Sequence, residues 1–247
     1  MIKADVVVSW PTNNDYPMWR LMIREERARF NEIFIVFTKT HNKDNYQKFV
    51  MKSMAGDNIT FIDSPEITGD QDWRNVAVNA ALEKSKSPIV WFTEQDFLIT
   101  DLSFWDKVSK MSMSNDIVAV NIGVRMHPCC IFAKRKTIDK TSKNFGIVLN
   151  KLDHFGIFQN DLEKLGVKIY LMADNVKAEE KSFFHFNGLS HNWHLLSQGE
   201  TPNYEPERFL TYLEQCLKMG HERSIEMDLE FYKIAAFFIT ANRALKN

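Results

Sequence analysis

Cysteine is scarce in this sequence, with three in 247 residues. Cys129 and Cys130 are adjacent, a spacing at which a disulfide is strained, and Cys216 stands alone. A disulfide scaffold is thereby excluded, and the lack of any Cys-x-x-Cys pair argues against a zinc–thiolate site. Seven prolines and nine glycines are too few for long disordered linkers. Charge of one sign is also lacking. Lys and Arg total 31 against 32 Asp and Glu, a formal net charge of −1, which gives no bulk attraction to nucleic acid or anionic membrane. The one basic run, Lys134-Arg135-Lys136, reads as a solvated face. No apolar run reaches transmembrane length. Met1-Ile2-Lys3-Ala4-Asp5 passes straight into a strand pattern without a signal-peptide pattern, so a reducing, cytoplasmic location is expected. There is no glycine-rich phosphate loop of Walker or dinucleotide type and no Gly-x-Ser-x-Gly. Kinase, dehydrogenase and serine hydrolase chemistries therefore find no support.

What is present is a globular composition, 45% hydrophobic, arranged as alternating strand and helix patterns. Short β-branched or aromatic runs predict strands over 4–9, 32–38, 59–63 and 88–92. Helical spacing predicts helices over 16–30, 44–54 and 72–84, the last with Val76, Ala77, Ala80 and Ala81 on one face. Such alternation predicts an α/β fold, a mostly parallel sheet flanked by helices. Ligands of such sheets bind at the carboxyl ends of the strands, so the loops at 11–15, 63–72 and 93–96 are expected along one edge. The second half is less regular. Strands are expected over 116–122, 130–133 and 167–172, a helix over 153–165 stopped by Gly166, and two C-terminal helices over 205–219 and 222–245. No repeat and no linker interrupts the chain, and one domain over 1–247 is expected.

The fourth strand closes on Thr93-Glu94-Gln95-Asp96. Two carboxylates one residue apart at the end of a buried strand offer hard oxygen ligands to a divalent cation, which would neutralise a diphosphate. They also suit the start of a following helix near Leu102. Three more features extend the pattern that the acid-pair strand closes: Pro11-Thr12-Asn13-Asn14 after the first strand, Ala77-Val78-Asn79 in a helix, and the turn Lys84-Ser85-Lys86-Ser87-Pro88. Over roughly the first hundred residues this resembles the GT-A (Rossmann-like) glycosyltransferases, in particular their large inverting family of nucleotide-sugar enzymes. Two positions depart from it. Val78 stands where the family carries arginine, with Arg74 one helical turn earlier, and the first acid is glutamate.

The resemblance implies a nucleotide-sugar half over 1–100, an acceptor and catalytic half over 101–200, and C-terminal helices over 201–247. It implies donor contacts from Pro11, Thr12, Asn13, Asp63, Arg74, Asn79, Glu94 and Gln95, and Mn2+ or Mg2+ held by Asp96. Leu152-Asp153-His154-Phe155, followed by Asp161 to Gly166, resembles the family's acidic motif and makes Asp153 the general base; Asp153 also suits a helix N-cap. Phe184-His185-Phe186-Asn187-Gly188-Leu189-Ser190-His191 is rich in histidine. His185, at a plausible strand end, is the first candidate to complete the metal shell and His191 the second. Asp72-Trp73-Arg74 offers an aromatic and a guanidinium to base and phosphate, and Arg125-Met126-His127-Pro128 can face the acceptor.

The expected activity is metal-assisted, inverting transfer from a nucleotide diphosphate sugar, a UDP-sugar first, to a hydroxyl acceptor. Glycan, lipid-linked sugar, protein and modified nucleobase all remain open as acceptors. The alternatives are a catalytically silent relative acting as a binding subunit, and a nucleotidyltransferase, which usually brings an N-terminal loop rich in glycine and arginine or lysine that Trp10 to Asp15 lacks. Phe231, Ile234, Ala235, Phe238, Ala241 and Leu245 share one helical face. That face suits core packing, or a homo-oligomer contact ahead of a membrane surface.

Overall fold

The computed structural model describes residues 3–10, 29–37, 56, 58–63, 72–94, 97–99, 103–122, 125–147, 154–172 and 183–185. Seven strands form one sheet: β1 (Ala4–Trp10), β2 (Phe30–Phe37), β3 (Ile59–Asp63), β4 (Ile89–Thr93), β6 (Ile117–Ile122), β7 (Arg125–Lys134) and β8 (Ile169–Met172). Their order across the sheet is β3-β2-β1-β4-β7-β6-β8. All neighbours pair parallel except β7, which runs against both β4 and β6. This is the expected α/β fold with a mostly parallel sheet. Between the strands run α1 (Trp73–Lys84), α2 (Ser103–Ser114), the short α3 (Arg135–Ile138) and α4 (Gly156–Lys164). A second, two-stranded sheet pairs β5 (Phe97–Ile99) with β9 (Phe183–His185).

The near-continuous apolar runs of β1 and β2 mark strands buried on both faces. Alternation divides their side chains between the faces. On one face Val7, Phe34, Val36, Val90, Phe92, Ile131 and Ala133 pack with Ala77, Val78, Ala81 and Leu82 of α1 and with Phe158 and Leu162 of α4. On the other, Trp91 stacks on Phe132 at 5.1 Å and meets Trp105 of α2 edge-on at 5.5 Å. Val78 is only 2% exposed in the first of these layers. A charged side chain at that position would enter the core unpaired.

Several boundaries differ from the sequence expectation. Phe30, expected to close a helix, opens β2, and β7 spans ten residues rather than 130–133. Pro128 inside β7 is tolerated because the register against β6 shifts between Ala119↔Ile131 and Asn121↔Met126, leaving the ladder broken where the missing N–H would fall. Arg125-Met126-His127-Pro128 therefore belongs to a strand, and His127 is buried. Arg135 does more than face solvent: its Nη1 and Nη2 donate to the carbonyls of Ser85 and Leu82, both at 3.0 Å, and cover the C-terminal end of α1. Helix α4 starts at Gly156, with Phe155 as its N-cap, so the capping role considered for Asp153 falls away. The helices expected over 16–30, 44–54, 205–219 and 222–245 lie outside the described residues, apart from the end of the first. Among the described residues no helix is long and apolar enough to cross a membrane.

Candidate functional site

Parallel pairing sets the ends of β1, β3 and β4 along one edge, with Trp10 opposite Phe37, Phe37 opposite Asp63, and Val8 opposite Thr93. Because α1 connects β3 to β4, its N-terminus opens at this same edge. Asp72 caps it, and its Oδ1 accepts from the backbone N–H of Arg74 at 2.9 Å and of Asn75 at 3.3 Å. The other oxygen, Oδ2, lies 3.2 Å from Nδ1 of His154. Burial pushes the Asp72 carboxyl up, but the hydrogen bond and charge of His154, with the two backbone bonds, outweigh it and hold the group below the usual carboxylate range. An ionised carboxylate only accepts, so His154 carries its proton on Nδ1 in this pair. His154 also meets the Trp73 ring edge-on at 5.7 Å. The next residue, Phe155, has φ of 67°, a left-handed conformation that a bulky residue adopts under constraint. Its ring is locked among Phe92, Phe145 and Phe158, and its N–H donates to the Phe145 carbonyl at 2.8 Å.

Arg74 crosses from α1 to the end of β4. Its Nη1 donates to Glu94 Oε1 at 2.6 Å, with side chains 13% and 19% exposed. The guanidinium carbon sits 5.0 Å from the centre of the Trp73 ring. Arg74 Nε is buried and meets no acceptor among the described residues. Glu94 is anchored through its backbone: its N–H donates to the Cys129 carbonyl at 3.2 Å, and the same oxygen accepts from Thr93 Oγ1 at 2.9 Å. Cys129 N–H in turn donates to Nδ1 of the buried His127 at 3.1 Å. Burial pushes the Cys130 thiol well up, which with its enclosure makes it a core residue rather than a nucleophile. Phe97 N–H reaches back to the Glu94 carbonyl at 3.4 Å, and Phe97 pairs with His185 in the β5–β9 ladder.

The sequence-predicted residues thus divide into three groups. Arg74 and Glu94 meet directly. His185 is set by strand register across from the residue that follows Asp96. Asp63 ends β3 at the same edge, exposed. Asn79 is engaged elsewhere along α1: its Nδ2 donates to the Lys143 carbonyl at 3.0 Å and to the carbonyl and Oδ1 of Asn75. Pro11, Thr12, Asn13, Gln95, Asp96, Asp153 and His191 lie outside the described residues. One oxygen of the Glu94 carboxylate, Oε1, is engaged by the Arg74 guanidinium. Among the described residues no three His, Cys, Asp or Glu gather as a metal site. The Asp72–His154 pair carried no assigned role in the sequence. Its only signal there is that both residues lie near candidates, Arg74 and Asp153, on segments 82 positions apart that the fold brings together.

No family model matches the chain, and no curated protein matches it significantly. Solved structures do. A 4-diphosphocytidyl-2C-methyl-D-erythritol synthase from Anaerococcus prevotii superposes with a TM-score of 0.52 at 10% identity, covering 76% of this chain and 94% of its own. A mannosyltransferase from Pyrobaculum calidifontis, in complex with GDP-Man and Mn2+, gives 0.51 at 14% identity over 99% of this chain and 81% of its own. A glucosyl-3-phosphoglycerate synthase from Mycobacterium tuberculosis, with Mn2+, UDP and phosphoglyceric acid, gives 0.50 at 13% over 87% and 78%. The fold is shared with these transferases. The shared property is the sheet and its flanking helices.

Proposed function

We propose that this chain transfers a sugar from a nucleoside diphosphate sugar, with a UDP-sugar as first choice, to a hydroxyl acceptor. The observation that supports this reading is the contact at the carboxyl edge of the sheet between Arg74, at the N-terminus of α1, and Glu94, at the end of β4; His185 pairs by register with Phe97, three residues beyond Glu94. A helix N-terminus with an arginine beside it suits a diphosphate. Asp96 and His185 would hold Mn2+ or Mg2+, which would supply charge stabilisation to the departing diphosphate. Asp153 takes the proton of the acceptor hydroxyl as its oxygen bonds to the anomeric carbon and the bond to the diphosphate breaks, giving inversion. Pro11, Thr12, Asn13, Asp63, Asn79 and Gln95 complete the donor site. The chain acts as one domain, with residues 1–100 binding the donor and 101–200 the acceptor.

The test is calorimetry with UDP and Mn2+, followed by turnover of a panel of nucleotide sugars with water as acceptor. Asp96→Ala is expected to abolish the Mn2+-dependent part of UDP affinity without lowering the melting temperature. Asp153→Asn is expected to keep donor affinity and lose most turnover, because only the transition state calls on the base. Unchanged Mn2+–UDP affinity in Asp96→Ala, or near wild-type turnover in Asp153→Asn, would reassign those roles. The match to the cytidyl-transferring synthase supports a second reading, nucleotidyl transfer. Release of pyrophosphate from a nucleoside triphosphate and a phosphorylated alcohol, with no turnover of nucleotide sugars, would establish it instead.

A further inference from the structure

Glu94 is the first acid of the pair that the sequence offers to a cation, yet one oxygen of its carboxylate is already held by a guanidinium. Arg74 Nη1 lies 2.6 Å from Oε1, and both side chains are largely removed from solvent. A divalent cation at that oxygen would have to displace a charge-assisted hydrogen bond whose donor is itself held in place. The donor is fixed from three directions. Its backbone N–H is taken by the cap residue Asp72 at 2.9 Å, its guanidinium packs on the Trp73 ring at 5.0 Å, and its Nη1 is on Glu94. The same guanidinium is incomplete. Nε is buried and finds no acceptor among the described residues, and a buried donor without an acceptor is an arrangement proteins rarely leave unmet. Arg74 is also the second residue of a twelve-residue helix whose N-terminus opens at the ligand edge, where the helix dipole favours an anion.

We propose that Arg74 binds the diphosphate of the nucleotide directly, and that Glu94 is a positioning residue for Arg74 rather than a ligand of the cation. Resting on the transferase reading, this makes part of the nucleotide affinity independent of any metal. A planar guanidinium offers parallel N–H groups to phosphate oxygens, and a glutamate on one edge fixes the rotation of that plane. The chain therefore meets the diphosphate charge with a fixed cation one helical turn before Val78, where the apolar core leaves no room for one.

The experiment uses the full chain and two probes, UDP and MnCl2, in titration calorimetry. Wild-type protein is expected to bind UDP in EDTA, and Arg74→Gln to weaken that binding about tenfold or more, the loss of one charge-assisted contact. Arg74→Lys is expected to recover part of it, and stands in should Arg74→Gln fail to fold. Glu94→Gln is expected to weaken UDP binding in EDTA by a smaller factor, to add nothing further in an Arg74→Gln background, and to leave the affinity for Mn2+ alone at the wild-type value. A merely structural Glu94 would not show that non-additivity. UDP binding that appears only with Mn2+, or Glu94→Gln losing Mn2+ affinity as Asp96→Ala does, would overturn the inference while leaving the transferase reading in place. A wild-type chain that binds neither UDP nor GDP, with or without Mn2+, would remove both.

Discussion

Asp72 serves two neighbours at once, with one oxygen on the first turn of α1 and the other on His154. The two roles separate by mutation. Asparagine caps a helix about as well as aspartate, so Asp72→Asn keeps the cap and loses the charge pairing, whereas Asp72→Ala loses both and is expected to cost about 1 kcal/mol from the cap alone. The pH dependence has a definite sign. The folded carboxyl is held below its free value, so its contribution is complete above about pH 3.9 and is lost as pH falls through the lower folded value. Asp139, lowered by Lys143 and Arg135, and Asp161, lowered by Ser142, act in the same sense. Urea unfolding of wild type and Asp72→Asn across pH 6 to about 3 should show a shallower acid loss in the variant. Identical slopes would mean that ionisation of Asp72 contributes nothing to stability.

At the scale of elements, α1 organises the molecule by what it holds at each flank. Asn75 and Asn79, one turn apart, clamp the segment after α3: Asn75 Oδ1 accepts the N–H of Phe145 at 2.8 Å, and Asn79 donates to the carbonyl of Lys143. Replacing Asn75 by Ala strands a backbone N–H and is expected to cost about 1–3 kcal/mol in urea unfolding. Asn79→Ala tests the two assignments given to that residue. Lost stability with unchanged UDP affinity makes it a clamp only; a drop in affinity beyond the stability effect supports its place in the donor site. At the other end of α1 the buried Asp5 accepts from the hydroxyls of Ser85 and Ser87 and from the N–H groups of Lys86 and Ser87, all at 2.6–3.0 Å. Asp5→Ala leaves two backbone donors without an acceptor and is expected to cost about 3 kcal/mol. It lies at the amino end of β1, across the sheet from the proposed site, so nucleotide affinity should be unchanged in the folded fraction.

At the scale of the whole molecule, one sheet is covered on both faces. The first face carries α1 and α4 with the Phe92–Phe145–Phe155–Phe158 cluster; the second carries α2 with the Trp91–Trp105–Phe132 cluster. The apolar face spaced through Phe231, Ile234, Ala235, Phe238, Ala241 and Leu245 is expected to pack against this body rather than against a second copy. A chain ending at His221 is then expected to lose cooperative thermal unfolding. A truncated chain that melts cooperatively as a monomer, from a full-length dimer, would assign that face to an interface instead.

The alternation of apolar runs and helical spacing determined the α/β class from sequence alone, because burial on both faces and amphipathic periodicity are local properties of the chain. It also determined β3, α1 and β4 to within about a residue, since each is bounded by turn chemistry of its own. What only the tertiary structure decided are the pairings between distant segments. The reversal of β7, the Phe97↔His185 register, and the meeting of Asp72 with His154 have no local signature. They depend on how segments distant in sequence pack on one another, which no single stretch of the chain carries. Arg74 was legible as a cation one helical turn before Val78, but its bond to Glu94 was not. A salt bridge depends on the distance between a helix start and a strand end, and that distance is set by the packing of α1 on the sheet, where Ala77, Val78, Ala81 and Leu82 bury their small side chains.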